Sequence, residues 1–169
     1  MHLTGPAFRA LADGDRQAAE TASPIPLSDY LAGPEYRSVW ARRSRQVDED
    51  PGTAAWVTGV IWDEDRRSAV GGAGYHDRPD VDGRVEIGYG VDPAYRRRGY
   101  ARAALEALLA RAEAEPQVRL VRVSIRPDNV PSFNLAAQYG FAKVGEQWDD
   151  EDGLEFVYEV SAGGRPRSG

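Results

Sequence analysis

"VEIGYGVDPAYRRRGYARAALEALLARA", residues 85–112, decides the fold. Its first part reads as a strand, broken by Asp92-Pro93 and followed by a turn that sets Arg96, Arg97 and Arg98 against Gly99. The remainder places Leu105, Leu108, Leu109 and Ala112 on one face of a helix, with charges opposite. A strand therefore runs through a basic turn into an amphipathic helix.

Downstream, "VRLVRVSI" (118–125) is a second strand, so 84–125 has the length and order of a parallel crossover. A ligand is expected beyond the carboxyl ends of such strands, where the arginines sit. "VPSFNLAAQY" (130–139) predicts a short helix, "FAKVGEQW" (141–148) a strand, and "DDEDG" a hairpin into "LEFVYEV" (154–160). Upstream, "AAWVTGVIWDED" (54–65), "SAVGGAGYHD" (68–77) and "RVEIGYGVD" (84–92) form an antiparallel meander. "GDRQAAETA" (14–22) and "GPEYRSVWARRSRQ" (33–46) predict two helices, the second turning Tyr36 and Trp40 to the core. The expectation is an α/β fold, a mixed antiparallel/parallel central sheet flanked by helices, in a single domain over 1–160. The tail over 161–169 is expected to be disordered.

Composition narrows the function. The 169 residues carry a net charge of −6, which argues against a broad nucleic-acid-binding face but allows a local basic patch for a small anion. There is no cysteine, which excludes thiolate catalysis and cysteine-ligated metal, and no metal site is expected. No apolar run reaches the length of a membrane span and the start lacks a secretory core, so a cytoplasmic protein without membrane contact is expected. Lys143 is the single lysine, a bias toward arginine that no one site could require.

The basic turn has its own chemistry. The first N–H groups of a helix starting near Arg98 or Gly99 lack intrahelical partners, and with the helix dipole they suit a phosphate or pyrophosphate. Gly99 removes the Cβ that would keep a ligand off the backbone. Arginine side chains can clamp phosphate oxygens by charge-assisted hydrogen bonds. Neither a Gly-Lys-Ser/Thr phosphate loop nor a three-glycine dinucleotide fingerprint is present. Gly88 and Gly90 within the preceding strand read either as close backbone approach by a ligand or as a tolerated thin strand.

Residues 85–112 also resemble the cofactor motif of the GNAT superfamily of N-acetyltransferases, Arg/Gln-x-x-Gly-x-Gly/Ala, matched by Arg96, Gly99 and Ala101. "NVPSFNLAAQYGF", with Asn129, Ser132, Gly140 and Phe141, is similar to the later Asn-x-x-Ser and Gly-Phe block of that family. The resemblance covers about residues 55–160, and it implies a GNAT-like fold and acetyl-CoA as cosubstrate. By it, backbone amides from Arg97 to Arg102, including Arg98, Tyr100 and Ala101, hold the pyrophosphate. Val91 pairs with the pantetheine arm and offers its N–H to the thioester oxyanion, and Asn129 and Ser132 contact the cofactor.

Acetyl transfer to an amine needs a base, an oxyanion donor and a proton for the leaving thiolate. Glu86, early in the cofactor strand, resembles the general base of some family members. His76, in "GYHD", is an alternative with a suitable intrinsic pKa. Many members carry an acid tyrosine after the leucine of the second block, but here Ala136 follows Leu135. That departure resembles the ribosomal-protein N-terminal acetyltransferase-like branch. Tyr139 lies where the family carries an apolar core residue, which favours packing over acid catalysis, so the acid stays unassigned between Tyr139 and water. The expected reaction is direct acetylation of a primary amine on a small molecule or peptide, with homodimer formation left open. The competing readings are a non-catalytic acyl-CoA-binding sensor or partner module, and a phosphate-binding protein unrelated to CoA.

Overall fold

Thr4 starts the first helix. Its hydroxyl accepts from the Ala7 N–H, Pro6 occupies the first turn, and Gly14 closes the segment in a left-handed conformation, giving α1 (Gly5–Asp13). Helices α2 (Arg16–Ala22), α3 (Asp29–Ala32) and α4 (Pro34–Glu49) follow. The α3 turn falls between the two helices expected over 14–22 and 33–46, and α1 occupies a stretch for which the sequence reading proposed no element. A 3-10 turn, Pro51–Ala55, then takes up residues expected to open the first strand, so β1 covers only Gly59–Asp63. The remaining elements are β2 (Ser68–Tyr75), β3 (Arg84–Val91), α5 (Tyr100–Ala114), β4 (Leu120–Ile125), α6 (Val130–Ala137), β5 (Ala142–Asp149) and β6 (Gly153–Ser161).

This computed structural model describes residues 1–163. Most of the tail expected to be disordered, from 164 onward, lies outside the described residues. Within the described part, Ser161 still belongs to β6, and the Ala162 N–H donates to the Arg119 carbonyl. The strands follow the order β1-β2-β3-β4-β6-β5, a mixed sheet flanked by helices. Among the described residues no helix is long and apolar enough to cross a membrane.

The chain divides into two units. The first comprises Met1–Arg78 and Tyr89–Ala104. Its core gathers Phe8, Leu11, Leu31, Trp40 and Val57, with Trp40 fully buried and its indole N–H donating to the Leu31 carbonyl at 2.6 Å. Arg43 is buried on the same helix as Trp40. Its guanidinium donates to the Thr58 hydroxyl at 3.1 Å and the His76 carbonyl at 3.0 Å, so its burial is compensated by hydrogen bonds. Strands β1 and β2 pair antiparallel, with Val60 opposite Gly72.

The second unit comprises Pro79–Gly88 and, among the described residues, the chain from Leu105 to 163. Here β3 and β4 are parallel, with Val85 opposite Val121 and Glu86 opposite Arg122, as the crossover predicts. Along β4, Val121, Val123 and Ile125 are buried while Arg122 and Ser124 are half-buried on the other face. Val85, Ile87, Leu105 and Leu109 join the buried set. The acidic hairpin is a turn built by Asp149, whose carboxylate accepts the N–H groups of Glu151 and Asp152, with Gly153 at positive φ.

Candidate active site

Site residues proposed from the sequence fall in both units. In the first, β3 ends at Val91, and the Asp92 N–H donates to the Val70 carbonyl of β2 at 2.9 Å. Successive N–H groups along a strand point to opposite edges, so the Val91 N–H faces away from β2. The Asp92 carboxylate caps a 3-10 turn, Pro93–Tyr95, through the Ala94 N–H. Beyond it the backbone turns left-handed twice, at Arg97 (φ 60°) and Gly99 (φ 87°). A Cβ on Gly99 would meet nothing within 4 Å, so its φ is what demands glycine and the space before it is open. The Gly99 carbonyl accepts the Ala103 N–H, which makes Tyr100, Ala101 and Arg102 the first turn of α5.

The turn and the start of α5 carry four arginines. Arg96, Arg97, Arg98 and Arg102 are exposed. Arg96 uses its Nε–H on the Val91 carbonyl at 3.0 Å, and Arg98 lies over the Tyr95 ring at 5.7 Å. The Tyr100 hydroxyl donates to the Asp63 carboxylate at the end of β1. That bond holds the Asp63 carboxyl below its ordinary range and raises the Tyr100 phenol. Backbone turned left-handed beside a helix N-terminus, with exposed basic side chains and open space at Gly99, fits a pyrophosphate.

Tyr36 reaches the same strand from α4. Its ring is buried, in edge-on contact with Tyr30, and its hydroxyl donates to the Gly90 carbonyl at 3.3 Å. A Cβ on Gly90 would lie 2.7 Å from that hydroxyl, and one on Gly72 2.8 Å from the ring. The glycine at 90 therefore makes room for Tyr36. His76 is half-buried just past the end of β2, its carbonyl taking bonds from Arg43 and Gln46.

In the second unit, Glu86 on β3 accepts from the Ser124 hydroxyl of β4 at 2.6 Å. Gln147 of β5 donates from one amide nitrogen to the Ser124 oxygen (3.0 Å) and to Glu155 of β6 (2.9 Å). Burial is the main cause of a raised Glu155 carboxyl, with Asp149, Asp152 and Glu86 adding to it. Asn129 is the N-cap of α6, its side-chain oxygen accepting the Ser132 N–H at 3.3 Å, so this pair is joined by a local capping bond. The Tyr139 hydroxyl donates to Glu106 of α5. Ala136, where the resemblance would look for an acid tyrosine, is buried.

Spacing could not reveal Tyr36, Asp63, Ser124 or Gln147, because each acts on a residue at least 23 positions away. The one available signal was helical placement, which set Tyr36 on an inward face.

Residues 7–142 match the acetyltransferase (GNAT) domain family. The chain belongs to that family. It is an acetyl-CoA-dependent N-acetyltransferase by membership. An uncharacterized N-acetyltransferase of Bacillus subtilis, YjdG, is 28% identical over 142 residues, covering 80% of each chain. Among solved structures, a spermidine N-acetyltransferase SpeG chimera from Vibrio cholerae and hSSAT superimposes with TM-score 0.66 at 12% identity, over 96% of this chain and 93% of that one. The ribosomal-protein-S5-alanine acetyltransferase from Vibrio fischeri gives 0.63 at 15% identity, over 96% and 91%. At those identities the two structures bear on the fold, and they bring the GNAT-like fold expected from the sequence together with the mixed sheet found here. Among the described residues no group of three or more His, Asp or Glu side chains is disposed to hold a metal ion.

Proposed function

We propose that this acetyltransferase moves the acetyl group of acetyl-CoA to a primary amine by direct attack, with Glu86 as the general base. The observation that carries the reading is the placement of Glu86: a half-buried carboxylate on the strand that leads into the basic cradle, held as an acceptor by Ser124. The amine nitrogen bonds to the acetyl carbon, its proton passes to Glu86 directly or through water, and the carbon–sulfur bond breaks. His76 is the alternative base. The Val91 N–H, aimed away from β2, is the donor assigned to the oxyanion. The CoA thiolate leaves readily near neutral pH and takes its proton from water or from Tyr139, whose own proton rests on Glu106.

Binding is assigned to Arg96, Arg97, Arg98 and Arg102, with the amides from Arg97 through Gly99, Tyr100 and Ala101, for the pyrophosphate. Asn129 and Ser132 are assigned a further cofactor contact at the start of α6. The test is Glu86→Gln, measured by thiol release with a panel of primary amines and by calorimetric titration with acetyl-CoA. The expected outcome is a fall in kcat of about 10²–10⁴-fold with cofactor affinity unchanged. Undiminished turnover would move the base role to His76.

A further inference from the structure

We infer that Ser124 is the positioning residue for Glu86, and that Gln147 sets the direction in which its hydroxyl proton points; this rests on Glu86 being the base. The argument begins with register. Arg122 stands directly opposite Glu86 across the parallel pair, and opposite Glu159 across the antiparallel pair. Its guanidinium turns to Glu159, donating from Nε at 3.0 Å and from Nη2 at 2.7 Å. Arg84 adds a second cation to Glu159, 3.1 Å away. Glu159 thus draws two arginines, whereas the hydrogen bond to Glu86 from β4 comes from a neutral hydroxyl, two residues further along on the same face.

The difference matters for a base. A hydroxyl donor orients the carboxylate while adding no positive charge. The proton direction follows from the chain of partners. Glu155 can only accept when ionised, so the Gln147 group facing it must be the amide NH₂. The same nitrogen reaches the Ser124 oxygen, filling an acceptor position with N–H. The Ser124 proton is then committed to Glu86 Oε1. Four adjacent strands each supply one member of this line, so sheet register holds it rather than loop geometry.

The experiment compares wild type, Ser124→Ala, Ser124→Thr and Glu86→Gln in the full chain. Crystal structures report the Glu86 conformation, and thiol release from acetyl-CoA is followed with spermidine and with an alanine-initiated peptide as acceptors. Ser124→Ala is expected to spread Glu86 over several rotamers and lower kcat about tenfold, with KM for acetyl-CoA unchanged. Ser124→Thr, which keeps the hydroxyl, is expected to restore both, a rescue that loss of packing alone would not give. A single unchanged Glu86 rotamer in Ser124→Ala overturns the inference, as does wild-type kcat in that variant while Glu86→Gln is impaired. Full turnover in Glu86→Gln overturns the base reading instead, and the rotamer comparison then still reports whether Ser124 holds Glu86. If neither acceptor is acetylated, the rotamer comparison decides.

Discussion

The hydroxyl of Tyr36 donates to the carbonyl of Gly90, joining α4 to the end of β3 across 54 residues of sequence. That carbonyl and the Val91 N–H belong to one planar peptide unit and point in opposite directions. A phenol gripping one side therefore fixes the aim of the other. Burial raises the Tyr36 phenol far above its ordinary range, so it stays a donor at any assay pH.

Tyr36→Phe keeps the ring and removes the grip. The expected stability loss is about 1 kcal/mol, read as a drop of a few degrees in melting temperature, with a fall in kcat if the Val91 N–H serves the oxyanion. Gly90→Ala would drive a methyl against a buried, rigid phenol and is expected to cost about 1–3 kcal/mol in urea unfolding. Combining it with Tyr36→Phe should recover part of that loss.

The Tyr100–Asp63 bond ties the first turn of α5 to β1, and its pH window follows from the two shifts. Asp63 is lowered from the ordinary value of 3.8, so its contribution is present above that value and lost as pH falls through the lower folded one. Tyr100 is raised from 10.0, so its contribution is present below that value and lost as pH rises through the higher folded one. The melting-temperature gap between wild type and Tyr100→Phe should hold steady from about pH 6 to about pH 9 and close at both extremes. CoA affinity, measured by calorimetry at neutral pH, should weaken a few-fold in the variant.

Gly99 offers a sharper test of the cradle. Because space is open around it while φ is 87°, Gly99→Ala should cost about 1 kcal/mol through backbone strain alone. Gly99→Glu adds bulk and negative charge where the pyrophosphate would lie. Calorimetric titration with CoA and with ATP should show selective CoA binding in wild type and none in Gly99→Glu, with an unchanged circular dichroism spectrum. Equal binding of ATP and CoA by wild type would count against a CoA-specific cradle.

Glu159 lies between Arg84 and Arg122, and all three side chains are substantially covered. Glu159→Gln leaves Arg122 without its carboxylate and Arg84 with Asp80 alone, and is expected to lose about 2 kcal/mol in chemical denaturation, with CoA affinity unchanged. Replacing Arg122 by Leu in addition should cost less than the sum of the single substitutions, since the repelling cation is removed with its partner.

Much of this architecture is written in short-range pattern. Alternating apolar residues in 118–125, the Leu105–Leu109–Ala112 stripe and the acidic hairpin each depend on neighbours a few positions away, and each forms as the pattern predicts. The parallel crossover and the left-handed turn at Gly99 belong to the same class, because strand, turn and helix follow directly in the chain. Even α1 had local signals, Thr4 before a proline turn and Gly14 after it, though its brevity and low charge kept it from standing out. The separate fate of Pro51–Ala55 turned on a carboxylate cap from Asp50 that competes with extension into a strand.

The side-chain partnerships are of another kind. Glu86 meets Ser124, Tyr36 meets Gly90, and Tyr100 meets Asp63 at separations of 38, 54 and 37 residues. Each depends on strand register or helix docking, and a one-residue slip would send every side chain of a strand to the opposite face. The sequence by itself determined the order of elements and the basic turn that marks the family, because those arise from local backbone preference and hydrophobic period. Only the tertiary structure decided which carboxylate takes a hydroxyl and which takes two arginines, because that choice is made by whatever stands within hydrogen-bond reach after the strands have paired.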